Sequence, residues 1–223
     1  MSEMQQYERY SRQRDIVPAE RIAQCRATVI GVGAIGRQVA LQLSAIGISW
    51  LQLIDHDTVE WSNLASQGYL EGDMGQLKVN ATLDLCWRIN ANSQIHAVPD
   101  RFRRSTEIGN IVFCCVDKID VRRLIWESVK DRISFFADGR MAAEVLRILT
   151  ACDAPSRNHY PTTLFSRDEA FVGPCTAKTT IYCANIAAGF MVAQFTKCLR
   201  QLPVDSDIQL NLLSSELSVA ELD

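Results

Sequence analysis

The sequence predicts an α/β fold, an open and largely parallel sheet with helices on both faces, on three observations. A short apolar run, Ala27 to Gly31 (ATVIG), ends in glycines and gives way to apolar residues at helical spacing. A second run, Ile111 to Val116 (IVFCCV), is apolar throughout, as expected of a parallel strand covered on both faces. Around these two runs, strand-like and helix-like segments alternate, the pattern of βαβ units.

Taken in order, residues 1–26 form a polar N-terminal arm, and Ala27 to Gly31 is the first strand. The following helix carries Ile35, Val39, Leu41, Leu43 and Ile46. Ser49 to Ile54 (SWLQLI) is a second strand with Asp55 at its carboxyl end, and Gln76 to Ile89 repeats apolar residues at roughly helical spacing. Strands are expected at Gln94 to Val98 and Ile111 to Val116, a helix at Val121 to Val129, and further strands at Ser134 to Ala137 and Glu144 to Thr150. Residues 151–177 gather Pro155, Pro161, Gly173 and Pro174 and read as a crossover loop. A loop longer than about 12–15 residues in a compact domain is usually functional or mobile. Residues 178–199 then read as a helix and Ile208 to Leu213 as a closing strand, so that 1–223 forms a single domain.

Composition narrows the function classes. With 48% hydrophobic and 22% charged residues the chain is neither disordered nor a repeat protein, and a formal charge of −3 gives no general attraction to nucleic acid or an anionic membrane. The 8 cysteines include no C-x-x-C pair and are accompanied by 3 histidines, which fits neither structural zinc nor a redox motif. His56, His96 and His159 show no ligand spacing and are read as structural. The polar start MSEMQQYERYSRQRD excludes a secretory signal, and no apolar stretch nears the roughly 20 residues that span a bilayer. A reduced, cytoplasmic setting is expected.

The first chemical signal is Gly31-Val-Gly33-Ala-Ile-Gly36, placed where a strand becomes a helix. Glycines there permit a tight turn and the approach of a phosphate to the helix N-terminus, whose N–H groups favour an anion. Asp55 follows Gly33 by 22 residues at the end of the next strand, where a carboxylate accepts hydrogen bonds from a ribose. The alternative is a packing turn with Asp55 as a surface acid.

Further motifs surround this one. The chain opens with Arg9-Tyr10-Ser11-Arg12-Gln13, and Asp55 begins Asp55-His56-Asp57-Thr-Val-Glu-Trp-Ser62-Asn63-Leu64, followed by Gly75-Gln-Leu-Lys78. Together they resemble the superfamily of ThiF, MoeB, HesA and the ubiquitin-activating enzymes, whose members adenylate the C-terminal carboxylate of a ubiquitin-like protein. The resemblance implies a Rossmann-like domain that binds ATP through Gly31, Gly33, Gly36, Asp55, Asp57, Asn63 and Lys78, with Asp55 on the ribose and Asn63 and Lys78 on the phosphates. It further implies that Arg12 reaches the ATP of the opposite subunit of a homodimer and that Asp117 holds Mg²⁺. Two departures stand out. Val116-Asp117-Lys118 keeps the acid of the family's T-D-N but not its asparagine, and Ala65-Ser66-Gln67 replaces Q-R-Q, so a phosphate-binding arginine becomes Ser66. Arg101, Arg103 and Arg104 are candidates for the missing charge.

Residue by residue, bland readings stay open. Asp117 also suits the N-cap of a helix starting near Ile119, Asn63 a turn, Lys78 a solvated helix face and Arg12 an exposed tail. Cys175, in Gly173-Pro174-Cys175-Thr176-Ala177-Lys178, is either an acyl-accepting nucleophile favoured by a helix N-terminus or an inert thiol. The function expected is ATP- and Mg²⁺-dependent adenylation of a ubiquitin-like or sulfur-carrier protein ending in glycine, with thioester formation on Cys175 as an optional second step. A conjugating enzyme or a sulfur donor would act downstream. Adenylation of a tRNA or peptide, and a catalytically silent scaffold subunit, are the alternatives.

Overall fold

The computed structural model describes residues 3–165 and 179–221. The arm contributes helices α1 (Glu3–Tyr10) and α2 (Ala19–Ile22). Then follow β1 (Arg26–Ile30), α3 (Ala34–Ile46), β2 (Trp50–Ile54), α4 (Trp61–Gln67), α5 (Lys78–Ile89), β3 (Gln94–Val98), β4 (Ile111–Cys114) and α6 (Ile119–Val129). The C-terminal half adds β5 (Phe135–Ala142), β6 (Val145–Ala151), α7 (Ala154–His159), a 3-10 turn at Tyr160–Thr163, α8 (Ile181–Leu199), β7 (Asp207–Asn211) and β8 (Glu216–Val219).

The eight described strands join one sheet in the order β3-β2-β1-β4-β5-β6-β7-β8. Pairings are parallel from β3 through β5 and antiparallel from β5 through β8. The parallel half is buried on both sides, which explains its unbroken apolar runs. Ile111 and Phe113 enter one core with α3, α5 and α8, whereas Val112 and Cys114 enter another with Ile125, Trp126 and Val129 of α6. Register matters most at one level. Ile30 pairs with both Ile54 and Cys114, so Gly31, Asp55 and Cys115 leave the sheet side by side.

The expected crossover loop at 151–177 is corrected over its described part: residues 154–163 are helical. Asp153 caps α7 by accepting from the Ser156 N–H at 3.0 Å, and Pro155 sits in the first turn, where its missing N–H costs nothing. The final strand likewise does not close the sheet alone, since β8 pairs beyond it. Cys175 lies outside the described residues.

Candidate nucleotide-binding site

Strand order reverses between β1 and β4, and a cavity of about 850 Å³ opens there, at the carboxyl ends of the parallel strands. This is where open α/β sheets bind ligands, and the volume is that of a small-molecule site. Gly31, Gly33, Asp55, Asp57, Lys78 and Asp117 all line it.

The glycine turn divides its labour. Gly31 has φ +86°, and a Cβ there would lie 2.8 Å from the Cys115 carbonyl oxygen. Gly36 is not on the wall; it lets α3 pack on the turn, because a Cβ would meet the Gly31 carbonyl oxygen at 1.8 Å. Gly33, the N-cap of α3, differs, since the nearest atom to a Cβ would be Gln67 Oε1 at 3.9 Å. Its missing side chain therefore leaves room beside a helix N-terminus, facing the cavity. Gln67 also lines the cavity, and its buried Oε1 has no partner among the described residues. Space before the N–H groups of a helix N-terminus suits a phosphate-bearing ligand, whereas the Gln67 oxygen, an acceptor, calls for a donor.

Asp55 is anchored by the turn it faces. Its Oδ2 accepts the Val32 N–H at 2.6 Å and its Oδ1 the Asp57 N–H at 2.9 Å. Lys78 begins α5 with its side chain nearly buried, and its Nζ lies 3.3 Å from Asp57 Oδ2. His56, read from sequence as structural, stands on the cavity wall with Nε2 3.4 Å from Asp57 Oδ1. Asp55, His56 and Asp57 are the only grouping of three potential metal ligands among the described residues. Their carboxylates already serve two backbone N–H groups and Lys78.

On the opposite wall, Asp117 is exposed and its carboxylate has no partner among the described residues. The N-cap of α6 is Lys118, not Asp117, so the capping alternative for Asp117 does not hold. An unengaged carboxylate on a cavity wall suits a hard cation such as Mg²⁺. Behind it, Arg122 bridges Asp138, the Val116 carbonyl and the Gly139 carbonyl, the last at 3.1 Å. Burial lowers the Arg122 pKa, yet the guanidinium keeps its partner carboxylate. Asp138 is fully buried and also accepts from Arg140 and from the Tyr160 hydroxyl, each at 2.9 Å. Sequence reading missed this network because Arg122, Asp138 and Arg140 are spread over two elements with no motif spacing.

Other expected residues lie elsewhere. Asn63 Oδ1 accepts the Glu60 N–H at 3.0 Å at the start of α4, away from the cavity wall. Ser66 Oγ donates back to the Ser62 carbonyl at 2.9 Å and does not line the cavity either. Arg12 is exposed and does not reach its own cavity, whereas its neighbours dock the arm: Arg9 donates to the Ile89 carbonyl, and Gln13 to the Ile46 carbonyl at 2.9 Å. Of the three arginines after β3, Arg101 lines the cavity, while Arg103 is held by Asp100 at 3.0 Å.

Comparison with known proteins follows the same lines. Molybdopterin-synthase adenylyltransferase of Salmonella typhimurium is 31% identical over 114 residues, covering 48% of this chain and 46% of that protein. The adenylyltransferase and sulfurtransferase MOCS3 of Dictyostelium discoideum is 33% identical over 129 residues, covering 53% of this chain and 30% of that protein. The matches thus span less than half the length of these relatives. Among solved structures, PaaA superposes with a TM-score of 0.80 at 21% identity, over 100% of this chain and 75% of that one. Escherichia coli MccB with ATP superposes with a TM-score of 0.76 at 16% identity, over 96% of this chain and 71% of that one. Both likenesses show the fold. A sequence profile of the ThiF family matches residues 10–218, and the chain belongs to that family.

Proposed function

We propose that this protein is an adenylyltransferase that uses ATP and Mg²⁺ to activate the C-terminal carboxylate of a small ubiquitin-like or sulfur-carrier protein. The observation that carries the reading is the alignment of Gly33, Asp55, Lys78 and Asp117 around one cavity at the switch point of the sheet. The relatives named adenylyltransferases support it. In this reading residues 1–223 act as one adenylation domain, Asp55 holds the ribose, and the N–H groups at the start of α3 and the Lys78 ammonium hold phosphate oxygens. Asp117 would hold Mg²⁺, which when bound offsets charge on the phosphate oxygens.

The chemistry asks for positioning and electrostatics. A carboxylate oxygen of the carrier attacks the α-phosphorus, the bond to the β-phosphate bridging oxygen breaks, and pyrophosphate leaves. The product is an acyl-adenylate that a sulfur nucleophile can attack. No proton need be removed, so a wall that fixes the reactants and neutralises oxygen charge is sufficient. The exposed Arg12 would reach the ATP of a second subunit, which makes the working form a homodimer. Cys175 remains the proposed acyl acceptor. No described helix is long and apolar enough to cross a membrane. The described cysteines are all free, in keeping with a cytoplasmic enzyme.

The second reading, a catalytically silent scaffold, is favoured by Ser66, because α4 then presents no cation. ATP–pyrophosphate exchange with small proteins ending in glycine separates the two. Exchange that Asp117→Ala abolishes supports the enzyme. ATP neither bound nor exchanged with any such protein would sink it. A dithiothreitol-sensitive adduct that persists in Cys175→Ser would remove Cys175 as the acceptor.

A further inference from the structure

We propose that Lys118 is a second cation on the nucleotide's phosphate oxygens, beside Lys78, in place of the arginine that Ser66 has displaced. The inference rests on the ATP-binding reading of the cavity. Among the described residues, four long cationic side chains line the wall: Lys78, Arg101, Lys118 and Arg122. Lys78 is paired with Asp57 and Arg122 with Asp138, whereas the side chains of Arg101 and Lys118 have no partner among the described residues. Among the described residues a polyanionic ligand therefore meets two uncommitted cations.

Position separates those two. Arg101 follows β3, which lies beyond β2, and so stands on the Asp55 side of the cavity. Lys118 follows β4, whose turn into α6 faces the β1–α3 glycine turn across the switch point. A phosphate held at the start of α3 lies between the glycine turn and the Lys118 turn. Lys118 adjoins Asp117, so cation and metal-binding acid enter from the same turn.

The local chemistry around Lys118 offers no structural reason for a lysine. It is the N-cap of the 11-residue helix α6, with φ −95° and ψ 129°, and makes no side-chain cap hydrogen bond. N-caps favour Asn, Asp, Ser and Thr, and a cation at a helix N-terminus opposes the helix dipole. A residue set against local preference, exposed, without a partner among the described residues and on the cavity wall, points to a ligand. Ser66 completes the exchange, because its hydroxyl is turned back onto α4 and brings no charge to the site.

The test is calorimetric titration of MgATP and of adenosine into the full chain carrying Lys118→Asn, Lys118→Arg, or Lys118→Asn with Ser66→Arg. Lys118→Asn should weaken MgATP binding about tenfold, the loss of one charge-assisted hydrogen bond, and leave adenosine affinity unchanged. Its melting temperature should hold or rise, since asparagine caps α6 better than lysine. Lys118→Arg should retain the affinity, and Ser66→Arg should restore it in the double variant. Unchanged MgATP binding in Lys118→Asn overturns the proposal, as does an equal loss for adenosine. Unchanged MgATP binding with a raised carrier KM also overturns it, by assigning the lysine to the carboxylate. A double variant no better than Lys118→Asn overturns the exchange of one cation for the other. Wild-type protein that binds no MgATP would instead refute the reading of the cavity itself.

Discussion

The hydroxyl of Tyr69 donates a 2.6 Å hydrogen bond to the carbonyl of Val32, the residue between Gly31 and Gly33. The same ring lies 4.0 Å beneath the guanidinium carbon of Arg37, a fully buried arginine that also donates to the Gly68 carbonyl at 3.2 Å. The glycine turn is thus braced from behind by a cation–π stack. Burial raises the Tyr69 pKa well above its ordinary value, so the phenol stays protonated and keeps donating. Tyr69→Phe should cost about 1–2 kcal/mol in urea unfolding, because Val32 loses its buried donor. MgATP affinity should fall with it, and an unchanged affinity would mean that the turn holds its shape without the brace.

Glycine substitutions should separate fold from ligand. Gly36→Ala drives a methyl into the Gly31 carbonyl and is expected to destabilise by about 3 kcal/mol or more. Gly33→Ala has open space before it, so its unfolding midpoint should stay near wild type while MgATP binding weakens at least about tenfold. Equal loss of stability in the two variants would contradict the division of labour in the turn.

Cys198 should be the fastest of the described cysteines to alkylate at neutral pH. A hydrogen bond from the Cys152 thiol lowers its pKa to about 7, and it is half-buried at the end of α8. Cys25 and Cys86, by contrast, are pushed up to about 11 by burial. Reactivity follows thiolate fraction and access. Iodoacetamide labelling followed by peptide mass spectrometry should find Cys198 first, and Cys152→Ala should slow it. An undiminished rate in that variant would show that Cys152 is not the donor.

Acid stability should report Asp207. Burial alone would raise its pKa, but hydrogen bonds from Arg147 at 2.8 and 2.6 Å and from His159 at 2.9 Å outweigh burial and lower it. A depressed carboxylate contributes stability that is fully present above the unfolded pKa, near 4, and is lost as pH falls through the lower folded value. Asp207→Asn should cost about 1–3 kcal/mol at pH 7 and flatten the decline in melting temperature below pH ~4. A parallel decline in both proteins would place the acid sensitivity elsewhere.

The parallel half was legible because its code is simple. Runs such as Ile111–Cys114, buried on both faces, need no alternation, and the glycine turn with Asp55 marks the carboxyl ends of neighbouring strands. The antiparallel half was legible in part: β6 and β7 lie close to where they were expected, whereas β5 runs past Ala137 and β8 was not expected. β5 contains Asp138, Gly139 and Arg140, a polar interruption tolerated only because Arg122, from a distant helix, compensates the buried carboxylate. β8 is exposed along its length and carries no apolar signal of burial. In α7, Pro155 suggested a loop, although Asp153 three residues before Ser156 was a readable cap. That His56 and Lys118 stand on the cavity wall was not legible for another reason: membership of a wall depends on which turns the sheet order brings face to face.

The N-terminal arm has a consequence of its own. Ile89 and Ile46 are the last residues of α5 and α3, and their carbonyls find donors in Arg9 and Gln13. Trimming the arm would therefore leave two helix ends open to solvent while removing the outward-facing guanidinium of Arg12. Loss of activity in a shortened protein could not be credited to that guanidinium alone. In the proposed homodimer the segment that keeps these helices shut would also be the one that meets a neighbour, so that solitary stability and the capacity for company would be tied.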